Sequence, residues 1–258
     1  MSGIHHVEEV MGTAVSIDVT DDVAPGALTA VVTWLHAVDR TYSTYRHDSP
    51  ISRFGRGEIE LSDLDEEVID VLALCEELHD DTDGAFDITS VPAPNGTRLD
   101  PSGLVKGWSI ERAAEILESH GARNLCLNAG GDIALRGEPS PGRPWRIGIR
   151  HPHDEHALAK VLDLRGRAAV ATSGTYERGA HIIDPRTGEP TADLASVTVV
   201  GPDLTFVDAY ATAVFVMGLD GLEWLMGAHP EHEALAITHD GLTYATPGLM
   251  GLVVATAA

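Results

Sequence analysis

Residues 203–219, DLTFVDAYATAVFVMGL, set the strongest condition on how this chain folds. The run reads as one helix that is apolar nearly all round, and such a helix is stable only when other elements cover it. It is too short to cross a bilayer, as is every other apolar run in the sequence. Yet it carries Asp208 and Thr212, four residues apart and so on one face. Two oxygen-bearing side chains are costly in an apolar setting unless they find partners. They either hydrogen-bond locally or hold a hard cation such as Mg2+.

Composition narrows the partners. The chain has 258 residues, 43 % of them hydrophobic, which is enough to build a sizeable core. Its formal net charge is -23. That surface repels nucleic acid and anionic lipid, so neither nucleic-acid binding nor membrane insertion is expected. An anionic ligand would need a metal or a locally placed cation. Lysine occurs only at Lys106 and Lys160, which makes Lys106 conspicuous beside the glycines of PSGLVKG. Cys75 and Cys126 are the only cysteines. Both lie in apolar patterns, offer no disulfide framework and suit a reducing compartment. The N-terminus shows no basic start followed by an apolar stretch, and the chain reads as cytoplasmic.

Along the chain, Val7–Val19 is extended around Met11-Gly12-Thr13, and a helix with Leu28, Val31, Val32, Leu35 and Val38 inside ends near Tyr42. Residues 42–57 form a loop rich in hydroxyls and arginines around Tyr45, an aromatic that either stacks on a planar ligand or caps the core. A second helix, capped by Ser62 or Asp63, carries Val68, Ile69, Leu72 and Cys75 and stops at Asp83-Gly84. After the proline-broken 91–97 segment, Lys106 and Gly107 are placed in a turn ahead of a helix through Ile110, Ala113 and Leu117. That is either an anion-binding turn or a plain strand-to-helix turn. Strands follow at 124–137 with a break at Gly130-Gly131, and at Trp145–Arg150, Leu158–Leu164, Ala168–Thr172, Ala195–Val200, Ala234–Thr238 and Leu249–Thr256. HPHDEH at 151–156 reads as a solvated loop, not a metal cluster. A short helix starts at Asp220. The 171–190 stretch, ATSGTYERGAHIIDPRTGEP, is polar, aperiodic and dense in reactive side chains, which suits either a working surface or a solvated hairpin between two strands. Irregular alternation of helices with short-turned strands predicts an α+β fold, with mixed or largely antiparallel sheets flanked by helices in a single unit over 1–258.

Ten segments taken in order resemble the ApbE family, the FAD:protein FMN transferases. They are MGT at 11–13, STYRHDSPISRF at 43–54, GAFDIT at 84–89, LDPSGLVKGWSIERA at 99–113, NAGGDIALRG at 128–137, WRIGIRHP at 145–152, TSGTYER at 172–178, HIIDPRTGEP at 181–190, SVTVVGPD at 196–203 and VDAYATAVFVMG at 207–218. The resemblance implies an ApbE-like fold that binds FAD and Mg2+ and transfers the FMN half to a threonine of an acceptor protein, with AMP leaving. It implies that Met11 and Tyr45 border the flavin ring and that Ala85, Phe86 and Asp87 touch the nucleotide. It further places Asp100, Lys106 and the backbone at Ile182 on FAD. Asp208 and Thr212 would ligate the metal, helped by the Gly103 carbonyl and Thr205. His181 would accept the threonine proton, with Asp208 contributing. Two alternatives share the ligand: a pyrophosphatase that releases FMN and AMP, and a non-catalytic FAD-binding protein. Residues 90–98 replace a longer family segment that bears a tryptophan, so ligand closure is expected to differ. The export signal of many relatives is not seen.

Overall fold

The computed structural model describes residues 3–90, 92–175, 183–191 and 193–254. Its strands are β1 (Ile4–Val10), β2 (Thr13–Val19), β3 (Leu125–Ala129), β4 (Asp132–Arg136), β5 (Trp145–His151), β6 (Asp154–Leu164), β7 (Ala168–Gly174), β8 (Leu194–Gly201), β9 (Glu233–Thr238) and β10 (Thr243–Ala245). Its helices are α1 (Ala27–Tyr42), α2 (Pro50–Gly55), α3 (Glu66–Asp81), α4 (Ser102–Ser119), α5 (Leu204–Met217) and α6 (Asp220–Ala228). Eight strands form one sheet in the order β1-β2-β3-β4-β7-β8-β9-β10, and β5 and β6 form a separate hairpin. Every pairing between these strands is antiparallel, so the α+β expectation holds in its antiparallel form.

Strand alternation explains the layers. Along β7, β8 and β9, Ala169, Ala171, Val197, Val199, Ala234 and Ala236 join the core under the helices. Their neighbours Val170, Val200, Leu235 and Ile237 point to the other face, where the hairpin delivers Ile147, Ile149, Leu162 and Leu164. The centre of the sheet is therefore buried on both sides. This is why β8 reads as an unbroken apolar run, all eight of its residues being buried.

Several sequence expectations change in detail. Val7–Val19 is two strands, joined at Met11 (φ 55°) and Gly12 (φ 72°). Positive φ at both central residues is the turn that matches the twist of a two-residue hairpin. The 42–57 loop contains α2, started by Pro50 and capped by the Ser49 hydroxyl. Ser62 and Asp63 lie in a short 3-10 turn, and α3 begins after Asp65. HPHDEH is exposed over residues 153–156, as expected of a solvated segment, but it is regular: it forms the tight end of the β5–β6 hairpin, with His151 closing one strand and His156 inside the next. The expected last strand is instead a 3-10 turn at Pro247–Gly251, followed by a single bridge from Val253 to Leu162. Residues 255 and 256 of that expectation lie outside the described residues.

The 92–98 segment closes on α2. The Asn95 side chain donates to the Ser52 hydroxyl at 2.9 Å and accepts from the Thr97 amide at 3.0 Å. No described helix is long and apolar enough to cross a membrane.

Both cysteines are free, Cys75 buried and Cys126 half-buried. Burial pushes each thiol up to about 12. Because only the thiolate is nucleophilic, iodoacetamide at pH 8 should leave both cysteines unmodified in the native protein and alkylate both in urea. Mass spectrometry before and after unfolding checks this, and native labelling at Cys75 would contradict the packing.

Candidate functional site

The site begins where α4 crosses α5. Helix α5 starts at Asp203, whose carboxylate accepts from the Thr205 amide at 2.9 Å, and it ends at Gly218. Eleven of its fourteen residues are buried, as its apolar composition requires. Helix α4 begins at Ser102, so Lys106 and Gly107 lie inside the helix and not in a turn ahead of it, which corrects the sequence expectation. Pro101 at the cap position and the Asp100 carboxylate accepting from the Ser102 amide (3.1 Å) start the helix early enough to absorb both. The two glycines of the expected turn serve close packing instead. A Cβ on Gly107 would sit 2.5 Å from the Leu204 carbonyl oxygen and 2.7 Å from Asp208 Cβ.

At this crossing the Gly107 amide donates to Asp208 Oδ2 at 3.0 Å. In a regular helix that amide serves the carbonyl four residues back, which here is Gly103. The other Asp208 oxygen lies 3.5 Å from the Lys106 ammonium, which also pairs with Asp132. Both carboxylates are almost sealed, with side-chain exposures of 6 % and 3 %, whereas Lys106 keeps 41 % of its side chain open. Burial pushes the Asp208 carboxyl up to about 7; Lys106 opposes that shift and Asp132 adds to it. Among the described residues, two buried carboxylates share one ammonium, and of these three side chains the lysine is the exposed one.

Hydroxyls surround this pair. Thr205 is buried one turn before Asp208 on α5. One turn after it, the Thr212 hydroxyl lies 3.3 Å from that of Ser173 on β7. Next to Ser173, the Thr172 amide donates to Asp132 Oδ1 at 3.3 Å. Asp208 and Lys106 thus meet at the helix crossing, with Thr205 and Thr212 one turn to either side along α5 and Gly103 one turn before Gly107 on α4.

The remaining expected residues occupy neighbouring ground. The Phe86 ring packs over Gly103, 3.3 Å from where a Cβ would stand, and the Asp100 amide donates to the Ile88 carbonyl at 2.8 Å. Ala85 and Phe86 are buried, so this segment offers a ligand Asp87 and its backbone. Asp87 borders a cleft of about 470 Å3 with His79, Asp83, Gly84 and Arg186. Arg186 is fixed by Asp184, donating to it at 2.9 and 3.0 Å, and Asp184 also takes the Gly188 amide on its carbonyl, so Asp184 and Gly188 hold that turn. Met11 lines a smaller cleft of about 330 Å3, and its sulfur receives the Ser109 hydroxyl of α4 at 3.7 Å. Tyr45 is 83 % exposed, so it does not cap the core. His181 and Ile182 lie outside the described residues, as do Tyr176 and Arg178.

Two contributors were missed in the sequence. Asp132 follows the Gly130-Gly131 turn, where a local reading sees only a hairpin end; an acid heading a strand buried throughout was the available signal. Glu111, one turn beyond Gly107, is buried, accepts from the Leu204 amide at 3.0 Å and pairs with Arg136 and Arg167. It ties the start of α5 to α4 and β4.

The sequence profile of the ApbE family matches residues 11–95 and 92–236. The chain belongs to the ApbE family. The two matched stretches meet inside the short 90–98 segment. The chain is 28 % identical over 271 residues to an FAD:protein FMN transferase of Klebsiella pneumoniae (strain 342), covering 81 % of this chain and 77 % of that protein. It is 35 % identical over 175 residues to an FAD:protein FMN transferase of Rhodobacter capsulatus, covering 64 % of this chain but 33 % of that longer relative. The flavin transferase ApbE structure from Vibrio cholerae superposes with a TM-score of 0.84 at 27 % identity, covering 97 % of this chain and 99 % of that one.

The helix crossing can be tested without any assay of activity. Gly107→Ala should destabilise the fold by about 1–3 kcal/mol, since overpacking forces the helices apart. Gly227→Ala, where a Cβ meets open space on α6, should be neutral or stabilising by up to about 1 kcal/mol. Urea unfolding of the two variants provides the comparison, and equal midpoints would refute the close approach.

Proposed function

We propose that this chain transfers the FMN half of FAD to a threonine hydroxyl of an acceptor protein, releasing AMP and using Mg2+. The observation that carries the reading is the sealed pair Asp208 and Asp132 around Lys106 at a glycine-mediated helix crossing, in a chain of the ApbE family. The names of the relatives support the same activity.

The donors at the crossing suit Mg2+, which takes oxygen ligands. Asp208, Thr212, Thr205 and the Gly103 carbonyl would hold it, with Asp132 as a second carboxylate. Bound there, the metal would neutralise pyrophosphate charge and polarise a phosphoryl oxygen.

The residues of the chain supply the rest. Lys106 would move from its carboxylates toward the phosphates, a short reach for a flexible, half-exposed side chain. Asp100 and the backbone at Ile182 would hold FAD, while Met11, Tyr45 and the 85–87 segment would border its flavin end. His181 would take the proton of the threonine hydroxyl, because an alcohol is a weak nucleophile and an imidazole titrates near neutrality. As the threonine oxygen bonds to the FMN phosphorus, the phosphoanhydride bond breaks and AMP departs with its electrons. Holding the nucleophile in line with that bond is the larger share of such catalysis. Free, unpaired cysteines fit a cytoplasmic site of action.

Incubation with FAD, Mg2+ and an acceptor bearing an accessible threonine should add one FMN to that threonine, read by mass spectrometry, with equimolar AMP. Chelation or Asp208→Ala should lower the rate by at least about 100-fold, and His181→Ala by about 100-fold or more. AMP and free FMN without modified acceptor would favour a pyrophosphatase. Tight FAD without turnover would favour a binding protein.

A further inference from the structure

A second polar cluster lies on the opposite side of α5. Tyr210 is two residues from Asp208, so it projects away from the crossing with α4. Its ring stacks on His229 with centroids 4.3 Å apart and meets His232 edge-on at 5.1 Å. His229 and His232 belong to the connection between α6 and β9, within the sequence His229-Pro230-Glu231-His232.

His232 is the anomaly. It is only 4 % exposed, and among the described residues neither ring nitrogen has a hydrogen-bond partner. A buried imidazole normally satisfies at least one nitrogen, and leaving both unmet costs stability. The Nε2 side is pressed against β8, where a Cβ on Gly201 would stand 2.7 Å away. Nδ1 faces Glu231, with Oε1 at 3.3 Å. His229 is oriented in turn: its Nε2 lies 2.8 Å from Asp81 Oδ2, at the end of α3. The tautomer that donates to Asp81 keeps its lone pair on Nδ1, which lies 3.3 Å from the Tyr210 hydroxyl. One donor atom from each of His229, Glu231 and His232 lies within 4.8 Å of the other two.

We propose that His229, Glu231 and His232 form a binding site for a divalent transition-metal ion of the zinc type, separate from the site at Asp208, with Asp81 orienting the His229 ring. Two imidazoles and a carboxylate are a donor set that zinc favours and Mg2+ does not. A carboxylate behind a ligating histidine is the usual means of fixing its ring and tautomer. The Tyr210–His229–Asp81 hydrogen bonds alone account for His229 but leave His232 unexplained; an ion accounts for both. The role that follows is structural. The ion would pin the α6–β9 connection to the end of α3, which leads directly into Asp83-Gly84 and the 85–87 segment.

The test uses the whole chain stripped by a chelator and titrated with Zn2+ in an Asp208→Ala background, followed by calorimetry. One equivalent should bind and raise the unfolding temperature. Glu231→Gln, exposed enough to be tolerated, should abolish that equivalent, and Asp81→Asn should weaken it about 10–100-fold. His153→Ala, in the histidine-bearing β5–β6 hairpin, should leave it unchanged. Circular dichroism confirms that each variant is folded. Failure to bind Zn2+ stoichiometrically, or binding equally tight in Glu231→Gln, would overturn the proposal; loss only in His153→Ala would assign the zinc to the hairpin.

Discussion

The architecture depends on how closely α4 and α5 approach. At Gly107 there is no room for a side chain, and that lack of room lets a backbone amide of α4 reach a carboxylate of α5. Separate the helices by the width of one methyl group and Asp208 loses its amide, while Lys106 no longer spans Asp132 and Asp208. Glu111 fixes the same contact one turn along by accepting from the first amide of α5 while pairing with arginines of β4 and of the β6–β7 turn. A site assembled this way sits on rigid elements, which keeps reacting groups in place more accurately than loops do.

Charge supplies the second constraint. A chain at -23 repels a dinucleotide at long range, and local cations must reverse that at the site. With lysine at only two positions, Lys106 stands beside the two sealed carboxylates and keeps 41 % of its own side chain open to solvent. Removing two carboxylates from water around one ammonium is unfavourable in isolation. Carboxylates kept buried at that cost are what the proposed cation site would require.

The helix faces of α5 divide the molecule's chemistry. Asp208 and Thr212 look toward α4 and β7, while Tyr210 looks toward α6 and the His229–His232 connection. The same apolar helix therefore carries two polar clusters on opposite sides, insulated by the Ala and Val residues between them. Asp81 and the 85–87 segment are close in sequence, so whatever steadies the end of α3 also steadies the cleft bordered by Asp87 and Arg186.

Much of this was legible in the sequence because it is local. The apolar 203–219 run, the caps, the alternation of β7 to β9 and the ordered motifs determined the helices, most strands and the family. Asp208 and Thr212 stood out as polar residues in an apolar helix, and Lys106 as one of only two lysines in an acidic chain, set beside glycines. What the sequence left open depended on contacts between distant segments. Local propensity placed Lys106 and Gly107 in a glycine turn, and only packing against α5 drew them into α4. Asp132 was an ordinary hairpin residue until β4 brought it beneath Lys106, and His232 was an ordinary histidine until β8 closed over its ring. Periodicity records which face of an element is buried; it carries no information about which buried faces meet, because that is settled by the free energy of the assembled core.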